Sequence, residues 1–183
     1  GKQLVLDPGT PNAPYGTVAW QKGHVPGMKL TRKQDPVWIE TPQLDAKDAL
    51  VTRKADLHVD GDALKGTVTI TYKGQEALVR RLANYNDDDA ATKKSLEETM
   101  KHYFPDGATV NLKKVTGMKT ADAEIVAEYE VELPNTGSFA GSRAMIPLSV
   151  FHVNGKNPFA PAERKSAVYF EYPSIEEEDV TLA

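Results

Sequence analysis

Read for its alternation of hydrophobic and polar positions, the chain predicts strands, then helices, then strands again. Residues 49–59 alternate as a strand, and Asp60-Gly61 predicts a hairpin, because Asp-Gly supplies the positive φ of a type I′ turn. Residues 64–72 follow, with Leu64, Gly66, Val68, Ile70 and Tyr72 in step. The period then changes. Over 75–85, Leu78, Leu82 and Tyr85 fall on one helical face. Asp87-Asp88-Asp89 offers N-caps and negative charge at a helix start. Over 90–104, Leu96, Met100, Tyr103 and Phe104 form a second stripe, closed by Pro105-Asp106-Gly107.

Strand periodicity returns at 108–115 and is clearest at 123–133. There Ile125, Ala127, Tyr129, Val131 and Leu133 alternate with Glu124, Val126, Glu128, Glu130 and Glu132. One apolar and one glutamate-rich face predict a sheet with a wet side. The first set should be buried, and Glu128 and Glu130 exposed. Further strands are expected at 143–153 and 166–172, with a loop at 134–142 and a last edge strand at 177–182. The fold class expected is α+β: a mainly antiparallel β-sheet or sandwich with one helical region, about 75–104, between strands. Leu96, Met100 and Phe104 should dock the second helix on the sheet.

Residues 1–43 read differently. They hold six of the twelve prolines and both tryptophans, with a charge of +2 against −6 for the rest. Proline at this density argues against helices and central strands. The segment is read as a short strand at 2–6 followed by ordered turns, with Tyr15, Trp20 and Trp38 pinning it to a core or forming a sugar-stacking platform. Two units are expected: 1–43, an ordered Pro-rich tail, and 44–183, a β-rich domain.

Composition narrows the function classes. The 183 residues are 40% hydrophobic and 26% charged, a globular balance. A net charge of −4 leaves no electrostatic footprint for nucleic acid. No apolar run is long enough to span a membrane. There is no cysteine, which excludes a thiol nucleophile within these residues. The opening Gly-Lys-Gln lacks a methionine and carries no signal peptide, so the chain is expected to begin inside a longer protein.

Candidate chemistry is sparse. His24, His58, His102 and His152 have no close pairing and read as surface or packing residues. Asp87–Asp89 lacks the spacing of a calcium loop and reads as a cap, and the acidic run 176–179 reads as a solvated end. Leu4-Val5-Leu6-Asp7-Pro8-Gly9 ends an apolar run in a carboxylate, which could orient a histidine. Neither a cofactor nor a metal site is predicted.

Leu6-Asp7-Pro8-Gly9-Thr10-Pro11, with Ala13-Pro14-Tyr15-Gly16 and Val25-Pro26-Gly27, resembles the end of the transglutaminase-like domain of a group of secreted bacterial proteins. The rest resembles the domain of unknown function that follows it there. The stretches that carry this are Arg53-Lys54-Ala55-Asp56-Leu57, residues 66–74, residues 76–81 and Tyr169-Phe170-Glu171-Tyr172-Pro173. The resemblance implies that Asp7 is the aspartate of a Cys-His-Asp triad whose other members lie upstream, and that the compartment is periplasmic or extracellular. The parent would be a transglutaminase-like amide-bond enzyme or cysteine protease. The chain itself is then expected to be no enzyme but a C-terminal accessory module, with the upstream catalytic domain as its partner. The alternative is a binding module for cell-surface glycan or protein.

Overall fold

The computed structural model describes residues 5–32, 34–136, 138–140, 143–146, 150–152, 159–160, 163 and 165–183. Its centre is a sheet of five strands: β3 (Ala49–Asp60), β4 (Ala63–Gly74), β5 (Thr109–Thr116), β6 (Ile125–Leu133) and β9 (Ile175–Leu182). The strand order is β5-β6-β4-β3-β9. Every neighbour pair is antiparallel except β3–β9, which runs parallel from Leu50↔Ile175 to Leu57↔Leu182. Two helices, α1 (Gln75–Ala83) and α2 (Asp89–Lys101), lie between β4 and β5 in the chain. The fold is therefore α+β with a mostly antiparallel mixed sheet, as the pattern predicts.

One face of the sheet is buried. Val51, Ala55, Leu57, Leu64, Val68, Ile70, Tyr72, Val110, Leu112 and the apolar set of β6 form a single core with Leu96, Met100 and Phe104. The second helix docks as its stripe predicts. Asp88 caps it, accepting from the backbone N–H of Ala91 at 2.8 Å. The opposite face is wet. Glu128 and Glu130 are exposed there, and cross-strand ion pairs Lys73–Glu124, Lys113–Glu130 and Lys114–Glu128 cover it. A bulge in β5 between Leu112 and Lys114 turns two successive lysines toward these glutamates. With helices on one side and an exposed face on the other, the described residues form an open-faced layer rather than a sandwich.

Two glycines set the corners. Gly61 carries the positive φ (64°) of the β3–β4 hairpin, whose ladder closes at Asp60↔Ala63. Asp62 is not in the left-handed region, so the turn follows the II′ pattern and not the expected I′. Gly74, at φ 55° and ψ −122°, lets β4 pass straight into α1; a Cβ there would lie 2.0 Å from the Asp48 carbonyl oxygen.

The buried face of α1 differs from the stripe expected. Leu78 is buried, Leu82 is half-buried and Tyr85 is exposed, while Arg81 and Asn84 are buried. Arg81 faces inward because its guanidinium has acceptors to fill. Nε and Nη2 donate to the Gly117 carbonyl at 3.1 and 2.9 Å, Nη1 to Ala121 at 3.0 Å, and Nη2 also to Ala123. One side chain thus holds the whole β5–β6 loop. Burial lowers the Arg81 pKa, opposed by the Asp122 carboxylate.

Several expected strands are corrected. Residues 2–4 of the strand at 2–6 lie outside the described residues, and Val5 and Leu6 are not in a strand. The Pro-rich segment does form strands: β1 (Pro26–Thr31) and β2 (Gln34–Glu40) make a separate antiparallel hairpin. Proline is tolerated because Pro26 opens β1 and Pro36 falls at the register shift between Lys29 and Thr31. Residues 166–172 are not a strand. Within the loop expected at 134–142 and the strand expected at 143–153, β7 (Ser138–Ala140) pairs with β8 (Arg143–Met145), and Val150–Phe151 lie in a turn. Residues 147–149 and 153 lie outside the described residues.

Candidate binding cleft

Asp7 is held close by its own segment. Lys22 Nζ donates to it at 2.6 Å, Thr10 Oγ1 at 2.6 Å and the Ala19 backbone N–H at 3.3 Å. Its side chain is only 6% exposed. Burial works to raise its pKa, but the donors from Lys22, Thr10 and Ala19 outweigh burial and hold the carboxyl below the usual range. No histidine touches it among the described residues. His24 pairs with Glu40 at 3.1 Å, His152 with Glu178 at 3.1 Å, and His102 Nδ1 lies 2.6 Å from the Glu98 carbonyl. Lys22, the dominant partner of Asp7, carries no signal in the sequence, since a lysine fifteen positions away is one of many.

The acidic run is not simply a solvated end. Glu176 and Glu178 lie on β9 opposite Val51 and Arg53. Arg53, 1% exposed, donates through Nη1 to Glu176 at 2.8 Å and Glu178 at 3.0 Å. Its guanidinium carbon sits 4.4 Å from the centre of the Tyr103 ring. Desolvation works to lower the Arg53 pKa, but Glu176 and Tyr103 raise it on balance. With His152, the two carboxylates bring three ligand-type atoms within 4.8 Å of one another. A buried guanidinium already occupies the space between the carboxylates, so the cluster is a pin for β9.

Among the described residues a cleft lies elsewhere, where the base of the hairpin meets the approach to β9. A short 3-10 turn, Trp20–Lys22, precedes β1. The Trp20 ring packs on Tyr172, with centroids 5.9 Å apart and planes tilted by 43°. Tyr172 is fixed in turn by its hydroxyl, which donates to Glu76 Oε1 at 2.8 Å. Burial and that carboxylate both push the Tyr172 pKa up. Around this pair opens a cleft of about 760 Å³, which also takes in Gln21, Gln43 and the run Tyr169–Ser174. Tyr169 and Phe170 are 78% and 64% exposed. His24 sits at the rim with φ 51°, its backbone N–H on the Pro42 carbonyl.

Of the three N-terminal aromatics singled out by sequence, only Trp20 lines this cleft. Among the described residues Tyr15 and Trp38 are exposed and not packed into the core, correcting the packing role expected of them. The Tyr15 backbone N–H bonds Asp122 instead. Tyr169, Phe170 and Tyr172 carry no site signal in the sequence because an aromatic-rich run also reads as a strand.

Set against protein families, curated proteins and solved structures, the chain matches none.

Proposed function

We propose that this chain is the non-catalytic C-terminal accessory module of a transglutaminase-like protein, and that the hairpin β1–β2 docks it on the catalytic domain upstream. One observation carries the reading. Met28 and Trp38 are cross-strand partners and project from the same face of the hairpin, at 51% and 71% exposed, with Leu30 beside them at 73%. A two-stranded hairpin is marginal in water by itself. One that keeps its apolar side chains in solvent is built to be covered, and grouped exposed apolar residues mark an interaction surface. The resemblance around Asp7 supplies the partner, and with it a periplasmic or extracellular compartment.

Asp7 fits a triad role in that assembly. A carboxylate has about four lone-pair sites, and Lys22, Thr10 and Ala19 fill three. The remaining one suits an imidazole N–H from the upstream domain, which would fix the ring's tautomer. The chain itself brings no thiol, so acyl transfer would depend wholly on the parent's cysteine.

The test is association of this chain with the upstream domain of its parent, expressed separately. A stable complex is expected, weakened about tenfold or more by Met28→Ser with Trp38→Ser. A parent with no such domain, or a complex indifferent to both substitutions, overturns the reading. A second reading, a binding module for cell-surface glycan or protein, is favoured by the aromatic cleft.

A further inference from the structure

We propose that the cleft around Trp20 and Tyr172 is a binding site for an uncharged, extended glycan segment. The segment would stack on Trp20, Tyr169 and Phe170 and hydrogen-bond to Gln21, Gln43 and Glu171. This deepens the second reading above and is independent of the docking of the hairpin.

The floor is preorganised. Tyr172 cannot swing out without losing its bond to Glu76, which is 8% exposed and lies 3.6 Å from Arg80. Trp20 rests on Tyr172 and so shares that restraint. A preformed aromatic surface gives up little conformational freedom on binding. Rings with few rotors present large apolar faces at small entropic loss, and a sugar ring offers a matching face of C–H groups. Tyr169 and Phe170 extend the platform beyond the floor, and both keep most of their surface in water.

The polar lining selects the ligand's charge. Gln21 and Gln43 each bring an amide that donates and accepts, which suits neighbouring hydroxyl groups. Glu171 adds acceptors only. Among the described residues no lysine or arginine lines the cleft, and His24, the basic side chain in its lining, faces Glu40 at 3.1 Å, so an anionic sugar or a phosphate finds little countercharge. Glu171 in the lining and Glu40 beside His24 at the rim would repel one. A volume of about 760 Å³ lies within the usual range for ligand clefts of about 300–1,000 Å³. Because the cleft is partly open to solvent and not enclosed, it admits a stretch of chain and not only a terminal sugar.

The decisive experiment uses Trp20 emission in a Trp38→Phe background, where it is the sole tryptophan. The probes are neutral hexasaccharides of β-1,4-glucose, β-1,4-N-acetylglucosamine and α-1,4-glucose, a sulfated glycan, and a proline-rich dodecapeptide. At least one neutral hexasaccharide should shift the emission saturably, with a Kd below about 1 mM. Tyr169→Ala or Phe170→Ala should weaken that binding about tenfold. Both side chains are exposed, so the variants fold, and thermal unfolding checks this. No response to any neutral probe up to about 10 mM, a response to the sulfated glycan or the peptide alone, or binding unchanged in both variants overturns the proposal. Hairpin substitutions Met28→Ser and Leu30→Ser should leave glycan binding unchanged, which separates failure of this site from failure of the docking surface.

Discussion

The five-stranded sheet and the N-terminal hairpin are both antiparallel β-structure with proper ladders, yet they end in opposite conditions. On β6 every second residue is buried against α2 and the neighbouring strands, and the charged residues between them pair across the wet face. On β1 and β2 Met28, Leu30, Val37 and Trp38 stay in water, because no helix or second sheet covers them among the described residues. The ladder alone therefore does not make a strand stable; burial of one face does. Among the described residues the sheet buries one face, while the hairpin leaves most of its apolar side chains exposed.

The hardest test of this contrast is the core under α2. Leu96→Ala should destabilise the chain by about 2–5 kcal/mol, as read by chemical denaturation. A loss under about 0.5 kcal/mol would place α2 at the periphery. Next comes Arg81→Met, which leaves the Gly117, Ala121 and Ala123 carbonyls without their donor. We expect a loss of about 2–3 kcal/mol and selective loss of hydrogen-exchange protection around 117–124. Uniform loss of protection would show that the loop is not a separate unit.

Acid should act on the sheet through β9. The hydrogen bond from Arg53 lowers the Glu176 pKa against the opposing effect of burial. A carboxyl whose folded pKa is depressed contributes stability fully above its unfolded value, about 4.3. That contribution is lost as pH falls through the folded value. Denaturation midpoints should therefore drop below about pH 4, and Glu176→Gln should flatten that drop. An identical acid profile in the variant would mean that the Arg53 pin contributes nothing. The smallest effect is expected in the hairpin, where Met28→Ser with Trp38→Ser should change stability by no more than about 0.5 kcal/mol. Amide exchange should be far faster at 26–40 than in β4. A cooperative loss from these surface changes would show that the hairpin is part of the core after all.

The elements that the sequence foretells are those whose signal is short-range. The alternation of β6, the cap at Asp88 and the stripe of Leu96, Met100 and Phe104, whose last member lies just past α2, each fall within one short run of consecutive residues. Each appears in the structure where its pattern puts it. The hairpin was hidden because Pro26 and Pro36 read as breakers, although an edge and a bulge accept them. The inward turn of Arg81 was hidden because its acceptors come from a loop about forty residues on. Asp7 was visible as a carboxylate at the end of an apolar run, but its partner Lys22 was not.

What the sequence by itself determined is the α+β order, the apolar face of each central strand and the docking face of α2. Period and capping are properties of consecutive residues, and they need no knowledge of neighbours. Only the tertiary structure decided that β9 runs parallel to β3 beside Arg53, that Trp20 meets Tyr172 and that Met28, Leu30 and Trp38 of the hairpin stay exposed among the described residues. These are pairings between distant segments. Their free energy depends on which surfaces the rest of the fold leaves unburied, and no local pattern of residues carries that.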